Sequence, residues 1–168
     1  MYKLINYISF KIDEQLNKIR HRAQKYKLQK YRNIHNSSKI GLNVQFIGPE
    51  EQFYVGEMTY INEAMLATGN KAKIKIGSHC AIGYRVSIKA LTHSVNNPSV
   101  NKDGSVDHVE KDIEIGDSCW IGDNVYIREG VKIGNRVTIG ANSVVTKSFP
   151  DDVIVAGVPA KIINSDKK

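Results

Sequence analysis

The sequence predicts an all-β solenoid, a parallel β-helix, with one α-helical segment ahead of it. Three observations carry this. From residue 76 to 145 the chain falls into sixes that open on an aliphatic residue: Ile76, Ile82 and Ile88, then after a break Ile115, Ile121, Ile127, Ile133, Ile139 and Val145. Four places after each opening stands a small residue or valine: Cys80, Val86, Thr92, Cys119, Val125, Val131, Val137 and Ser143. Gly, Asn, Asp and Ser gather directly behind the aliphatic residue. So strict a period marks a repeat architecture. The aliphatic and small positions share one face of a strand and therefore one interior. The Gly, Asn, Asp and Ser positions are where a chain turns sharply, with positive φ expected. Three sixes close one coil, and coils stack about 4.8 Å apart through strand-to-strand hydrogen bonds. An amphipathic helix needs apolar recurrence near 3.6 residues and does not tolerate the glycines.

Ahead of the repeat, residues 1–32 read as a helix. Met1, Ile5, Ile8, Ile12, Leu16, Ile19, Ala23 and Tyr26 recur at spacings of three and four and form one face. The net charge of +7 resides here: nine Lys and Arg stand against Asp13 and Glu14, and the rest of the chain holds fifteen of each sign. The expected use of the apolar stripe is packing, as a cap on the open end of the solenoid or against another subunit. The alternative is a helix lying on an anionic membrane surface. Nucleic acid is not an expected partner, because no further motif supports the basic helix.

The helical segment is assigned to 1–35 and the solenoid to 36–165, with a link at 33–39 and the first coil starting near Ile40. Two irregular coils are expected before residue 75, interrupted near Pro49 and by a turn at 67–70. Residues 94–112 depart from the repeat and carry Asn96, Asn97, Pro98, Asp103, Gly104 and a charged string from His108 to Asp112, all read as turn formers. A departure of this length in a compact domain is expected to be functional. The chain leaves the repeat again at 148–152, returns as a closing strand over 153–163, and is expected to fray from 164 onward. Cys80 and Cys119 occupy inward positions, so buried free thiols are expected rather than a disulfide or metal ligands. Neither a secretory leader nor a bilayer-spanning stretch is read, which gives a cytoplasmic expectation.

Beyond the repeat, particular residues carry a resemblance. They are Asn62, the run Thr92, His93, Ser94, Val95, the run Cys119, Trp120, Ile121, Gly122, the close of the repeat from Ile139 to Lys147, and the tail from Ala156 to Lys161. Over roughly residues 38–163 the chain resembles the hexapeptide-repeat acyltransferases, which form left-handed parallel β-helices. It is most similar to the maltose, galactoside and nodulation-type sugar O-acetyltransferases. The resemblance implies acetyl-CoA as co-substrate, no metal, a homotrimer with clefts between solenoids, and a carbohydrate acceptor, expected in a surface polysaccharide or its precursor.

The same resemblance distributes roles. His93 is the expected general base, and an imidazole titrating near neutral pH suits proton transfer from a sugar hydroxyl. Asn62 is expected to hold the developing oxyanion. Trp120, Asp123, Ala141, Thr146, Lys147 and Lys161 are expected to line the CoA slot, the lysines meeting phosphates as point charges. Asp103, Asp107 and Glu110 are candidates to fix the His93 tautomer. Antibiotic or amino-sugar acetyltransferases of the same fold are the alternative. Remoter ones are a non-catalytic solenoid scaffold and a gamma-type carbonic anhydrase, whose zinc needs a close histidine pair that His79, His93 and His108 do not present in sequence.

Overall fold

The computed structural model describes residues 2–96, 99–100 and 102–165. Met1 of the apolar stripe, Asn97 and Pro98 of the departure, and the tail from 166 lie outside these residues. The chain divides into two compact units, Met1–Tyr31 and Arg32–Lys168.

The first unit is built on a helix, Tyr2–Leu28, that ends four residues short of the expected boundary. Lys25 and Lys27 in its last turn complement the negative end of the helix dipole. Glu14 accepts hydrogen bonds from Lys11 at 3.0 Å and Lys18 at 2.6 Å, one turn to either side. No helix residue is buried.

The second unit contains three parallel sheets. Lys39–Ile40, Tyr60–Ile61, Ala81–Ile82, Trp120–Ile121, Thr138–Ile139 and Val153–Gly157 form the first. The second holds Gln45–Ile47, Ala64–Ala67, Val86–Lys89, Tyr126–Ile127 and Val144–Val145, and the third Phe53–Val55, Ile74–Ile76, Ile113–Ile115 and Lys132–Ile133. The chain visits first, second and third sheet in unvarying order, so each strand pairs with the strand one circuit on. Lys39 lies opposite Tyr60 and Tyr60 opposite Ala81, circuits of 21 residues, whereas Trp120 lies opposite Thr138 after 18. The two irregular coils expected before residue 75 are these longer circuits. At the far end Ala160–Ser165 turns back antiparallel on Val153–Gly157.

The core is three stacks of opening residues. Ile61, Ile82, Ile121, Ile139 and Val155 follow one another in register in the first sheet, Leu66, Ile88, Ile127 and Val145 in the second, and Val55, Ile76, Ile115 and Ile133 in the third. None is more than 3% exposed. Each buried aliphatic side chain contributes about 1.5–3 kcal/mol.

At the corners the structure corrects one expectation. Of the Gly, Asn, Asp and Ser positions, Ser118, Asn124 and Asn142 take the expected positive φ, together with His79, Arg85 and Arg136, all at φ 54–59° and just before the inward small residue, whereas the repeat's glycines directly behind the aliphatic residue do not. The glycines are needed for space instead. A Cβ on Gly122 would stand 2.7 Å from the Ala141 amide nitrogen of the next circuit, and one on Gly77 would strike the Asp117 carboxylate. That carboxylate belongs to a ladder that climbs one edge. Ser78 N donates to Asp117 Oδ1 at 2.7 Å, Asp117 N to Asn135 Oδ1 at 2.8 Å, and Asn135 N to Asp151 Oδ1 at 2.9 Å. The polar corner residues therefore tie circuit to circuit, where side chain and backbone of successive turns come within hydrogen-bond reach.

The departure is also different in detail. Ile76 pairs with Ile115, 39 residues on rather than 18, so about one further circuit's length of chain has been let out between them. It leaves at Leu91, three residues earlier than expected, and makes an antiparallel hairpin of Leu91–His93 against His108–Glu110. The sixth that opens on Ile88 therefore ends at Lys89, and Thr92 is half-buried rather than inward. His108 to Glu110 is a strand, not a turn, because the carboxylate of Glu110 accepts from Lys71 N and Ala72 N at 2.7 and 3.1 Å. Asp112 Oδ1 likewise accepts from Lys73 N at 2.8 Å, which moors the hairpin base to the preceding circuit.

Candidate active site

His93 ends the outgoing strand of the hairpin and is exposed. Its partner across the ladder is His108, and the two rings stand edge to face, centroids 5.3 Å apart at 76°. The register is pinned where Ser94 N donates to the Asp107 carbonyl at 2.8 Å. Of the acids expected to orient His93, Glu110 is spent on the amides of 71 and 72, and Asp103 accepts from the Ser105 amide and hydroxyl at 2.9 and 2.6 Å. The neighbour that sequence reasoning missed is His108. Its signal was cross-strand alternation within the departure, hidden because 108–112 was read as turn. The pair of imidazoles that a zinc lyase would need is thus present in space. Yet among the described residues no three His, Cys, Asp or Glu converge on a point.

The other expected residues fall on two edges of the second sheet. Asn62, Asp123 and Ala141 occupy turns between the first and second sheets; His93, Thr146 and Lys147 follow the second sheet on its far side. A four-residue strand such as Ala64–Ala67 spans about 13 Å, so the two groups do not meet within one chain. Asn62 is half-buried and its backbone N–H donates to the Ile82 carbonyl at 3.0 Å. Asp123 has one carboxylate oxygen committed to Tyr84 N at 2.8 Å, the rung of a second corner contact. Trp120 projects from the first sheet, 60% exposed. Lys161 lies opposite Ala156 in the closing hairpin, and Lys147 stands 5.8 Å from the centre of the Phe149 ring.

Beside the departure, on the same edge as Lys147, the buried carboxylate of Glu129 is ion-paired with Arg128. That hydrogen bond holds the Arg128 guanidinium above its ordinary value. Burial pushes the neighbouring Tyr126 phenol up, and Glu129 adds to it. Cys80 and Cys119 are buried as expected; their thiols donate to the carbonyls of Gly116 and Gly134, each at 3.1 Å. The Cys80 sulfur, then burial, push the Cys119 thiol up, so it does not offer the thiolate a covalent mechanism needs. A shallow cavity of about 680 Å³ lies over the third sheet among Lys75, Glu114, Lys132 and Phe149, and no expected site residue lines it.

The family model for bacterial transferase hexapeptide (six repeats) matches residues 112–147. The galactoside O-acetyltransferase of Lactococcus lactis is 33% identical over 140 residues, 78% of this chain, which spans 66% of that protein, just short of two thirds of its length. The crystal structure of a hexapeptide-repeat acetyltransferase of Vibrio cholerae complexed with acetyl coenzyme A is 30% identical with a TM-score of 0.69, over 88% of this chain and 79% of that one. The structure of the polySia-specific acetyltransferase NeuO is also 30% identical, with a TM-score of 0.57 over 81% and 67% of the two chains.

Proposed function

Because the chain belongs to the hexapeptide-repeat acetyltransferases, we propose that it transfers acetyl from acetyl-CoA to a sugar hydroxyl, in a saccharide of a surface polysaccharide or its precursor. The observation that carries this reading is an exposed imidazole at the start of the long hairpin that interrupts the coil, on a family member whose relatives are a galactoside and a polySia acetyltransferase. His93 takes the hydroxyl proton as the sugar oxygen attacks the thioester carbonyl. The tetrahedral oxyanion is held by the Asn62 side-chain amide, a contribution of a few kcal/mol to the barrier. As the carbon–sulfur bond breaks, the imidazolium returns its proton to the departing thiolate, leaving an acetyl ester and the CoA thiol. No enzyme nucleophile is used, in keeping with the raised Cys119 thiol. Trp120, Asp123 and Ala141 line the pantetheine, Thr146, Lys147 and Lys161 the nucleotide end, and His108 holds the His93 ring.

The reading includes a left-handed coil, a cytoplasmic location and a homotrimer. Support for the trimer is the split of the site across the second sheet, since one edge of a chain meets the other edge of a neighbour in a closed ring of heterologous contacts. One outward row of that sheet, Met65, Ser87, Tyr126 and Val144, is uncharged and half-buried, with Lys89 beside it, whereas the matching row of the third sheet carries Lys75, Glu114 and Lys132.

The test is release of CoA thiol from acetyl-CoA against a panel of free sugars, oligosaccharides, amino sugars and serine. His93→Ala is expected to lower turnover on the best acceptor by about two to four orders of magnitude with the fold intact. Full activity in that variant removes His93 from the chemistry, and acetylation of amines alone moves the acceptor to the amino-sugar class.

A further inference from the structure

The helix Tyr2–Leu28 leaves a large apolar surface uncovered. Ile5, Ile8, Ile12, Leu16 and Ile19 are 43–59% exposed, and with Ala23 and Tyr26 they project within a narrow arc, since each lies three or four residues from the next. Lys11 and Arg22 border the arc on one flank, Arg20 and Lys27 on the other. The first ten residues differ from the rest: Tyr2, Leu4, Tyr7 and Phe10 add apolar surface around the helix, all at least 60% exposed, with Lys3 as the only charge among them. The helix thus grades from broadly apolar at its start to a bordered stripe further on.

Two kinds of surface outside this chain could receive such a stripe. A second copy of the same helix, packed in parallel, would set Lys11, Arg20, Arg22 and Lys27 against their own kind at the flanking positions, which in a stable coiled coil carry opposite charges. The helix has only Asp13 and Glu14 to offer in exchange, and Glu14 is already held by Lys11 and Lys18. An anionic lipid surface suits every feature at once: the stripe sinks to the level of the acyl chains while the flanking basic side chains reach the headgroups.

We propose that residues 2–28 form an interfacial helix that binds this protein to an anionic membrane surface, lying in the plane of the interface with its N-terminal third the more deeply inserted. No stretch of the helix is long and apolar enough to cross. The binding is peripheral and reversible, and it does not rest on the catalytic reading. A membrane-held enzyme would meet lipid-linked acceptors at raised local concentration.

The experiment uses the full chain and sedimentation with vesicles of phosphatidylcholine alone or with about a third phosphatidylglycerol. The expected result is at least tenfold tighter binding to the anionic vesicles, reversed by 0.5 M salt, where the screening length falls to about 4 Å. Ile12→Asn with Leu16→Asn should lower binding at least tenfold, and Arg20→Gln with Arg22→Gln about thirtyfold, from about 1 kcal/mol per basic residue. Thiol release with a soluble acceptor should be unchanged in both. Equal binding to the two vesicle types, no binding to either, or unaltered binding by the Asn variant overturns the proposal. So does a change of oligomeric state in that variant by analytical ultracentrifugation, which would give the stripe to another copy. Loss of acetyl transfer with vesicle binding intact would instead count against the catalytic reading alone.

Discussion

Thr59 allows the corner ladder to be separated from simple packing. Its side chain is fully buried; Oγ1 donates to the Gly77 carbonyl at 2.7 Å and accepts from the Cys80 amide at 3.0 Å. Thr59→Val keeps the shape and removes both bonds. The stranded Cys80 amide costs about 1–3 kcal/mol, and the Gly77 carbonyl loses a bond of about 1 kcal/mol, so a loss of about 2–4 kcal/mol is expected. Thr59→Ser keeps both bonds and deletes one methyl, about 0.8 kcal/mol of transfer free energy plus a small cavity, in all about 1–1.5 kcal/mol. The near-isosteric change should therefore be the worse by about 0.5–3 kcal/mol. Urea unfolding at fixed protein concentration, with unchanged slopes, reads the difference from the midpoints. If Thr59→Ser proves equal to or more damaging than Thr59→Val, the rung is held by packing and the hydrogen-bond account of the corners is wrong.

Acid should loosen the upper corner first. The Asn135 side-chain amide, then its backbone N–H, hold the Asp151 carboxyl below the ordinary range, and Arg136 does the same for Asp152. A carboxyl lowered by folding stabilises above its unfolded value of about 3.9 and ceases to do so as pH falls through the folded one. Urea midpoints should fall from about pH 4 downward, and the fall should flatten in an Asp151→Asn, Asp152→Asn double variant; an unchanged slope refutes the assignment. His108→Ala, which leaves His93 without its edge-to-face neighbour, is expected to lower turnover about ten- to a hundredfold with the KM for acetyl-CoA unchanged, as loss of alignment does. A pure rise in KM would place His108 at the substrate instead.

The three core stacks were legible because they follow from one local rule: an aliphatic residue at a fixed period points inward whatever its neighbours do. Ile76, Ile115 and Ile133 were aligned on the page before they were aligned in space. The corners were less legible. Positive φ was expected across the Gly, Asn, Asp and Ser positions; it falls on Ser118, Asn124 and Asn142 but also on His79, Arg85 and Arg136, while the glycine behind each aliphatic residue is required because the next circuit passes too close for a side chain. Such an approach depends on the stacking distance between circuits, which no single six contains. The helix boundary was misplaced for a related reason: the apolar stripe continues to Tyr26, and beyond it there was no cap residue to mark where the periodicity stops.

For the site, the repeat itself marks where chemistry belongs. Along an uninterrupted coil, side chains are either in the core or on a flat strand, and the corners are filled by their own ladder: Asp117, Asn135 and Asp151 each spend an oxygen on a neighbouring amide. Asp123 does the same for Tyr84, so a carboxylate matched by resemblance to a cofactor slot serves first as a rung. His93 stands where the coil makes its longest departure, between Lys89 and Ile113. The interruption was visible as a gap in the period, and His93 at its start was visible with it. What lies opposite His93 was not, because the return strand obeys the pairing of a hairpin rather than the period of the coil. His108 reaches His93 through an antiparallel register, anchored by Glu110 on the amides of a different circuit. A departure in a repeat thus points to where a candidate site begins, while its far wall has to be sought in the strand that comes back.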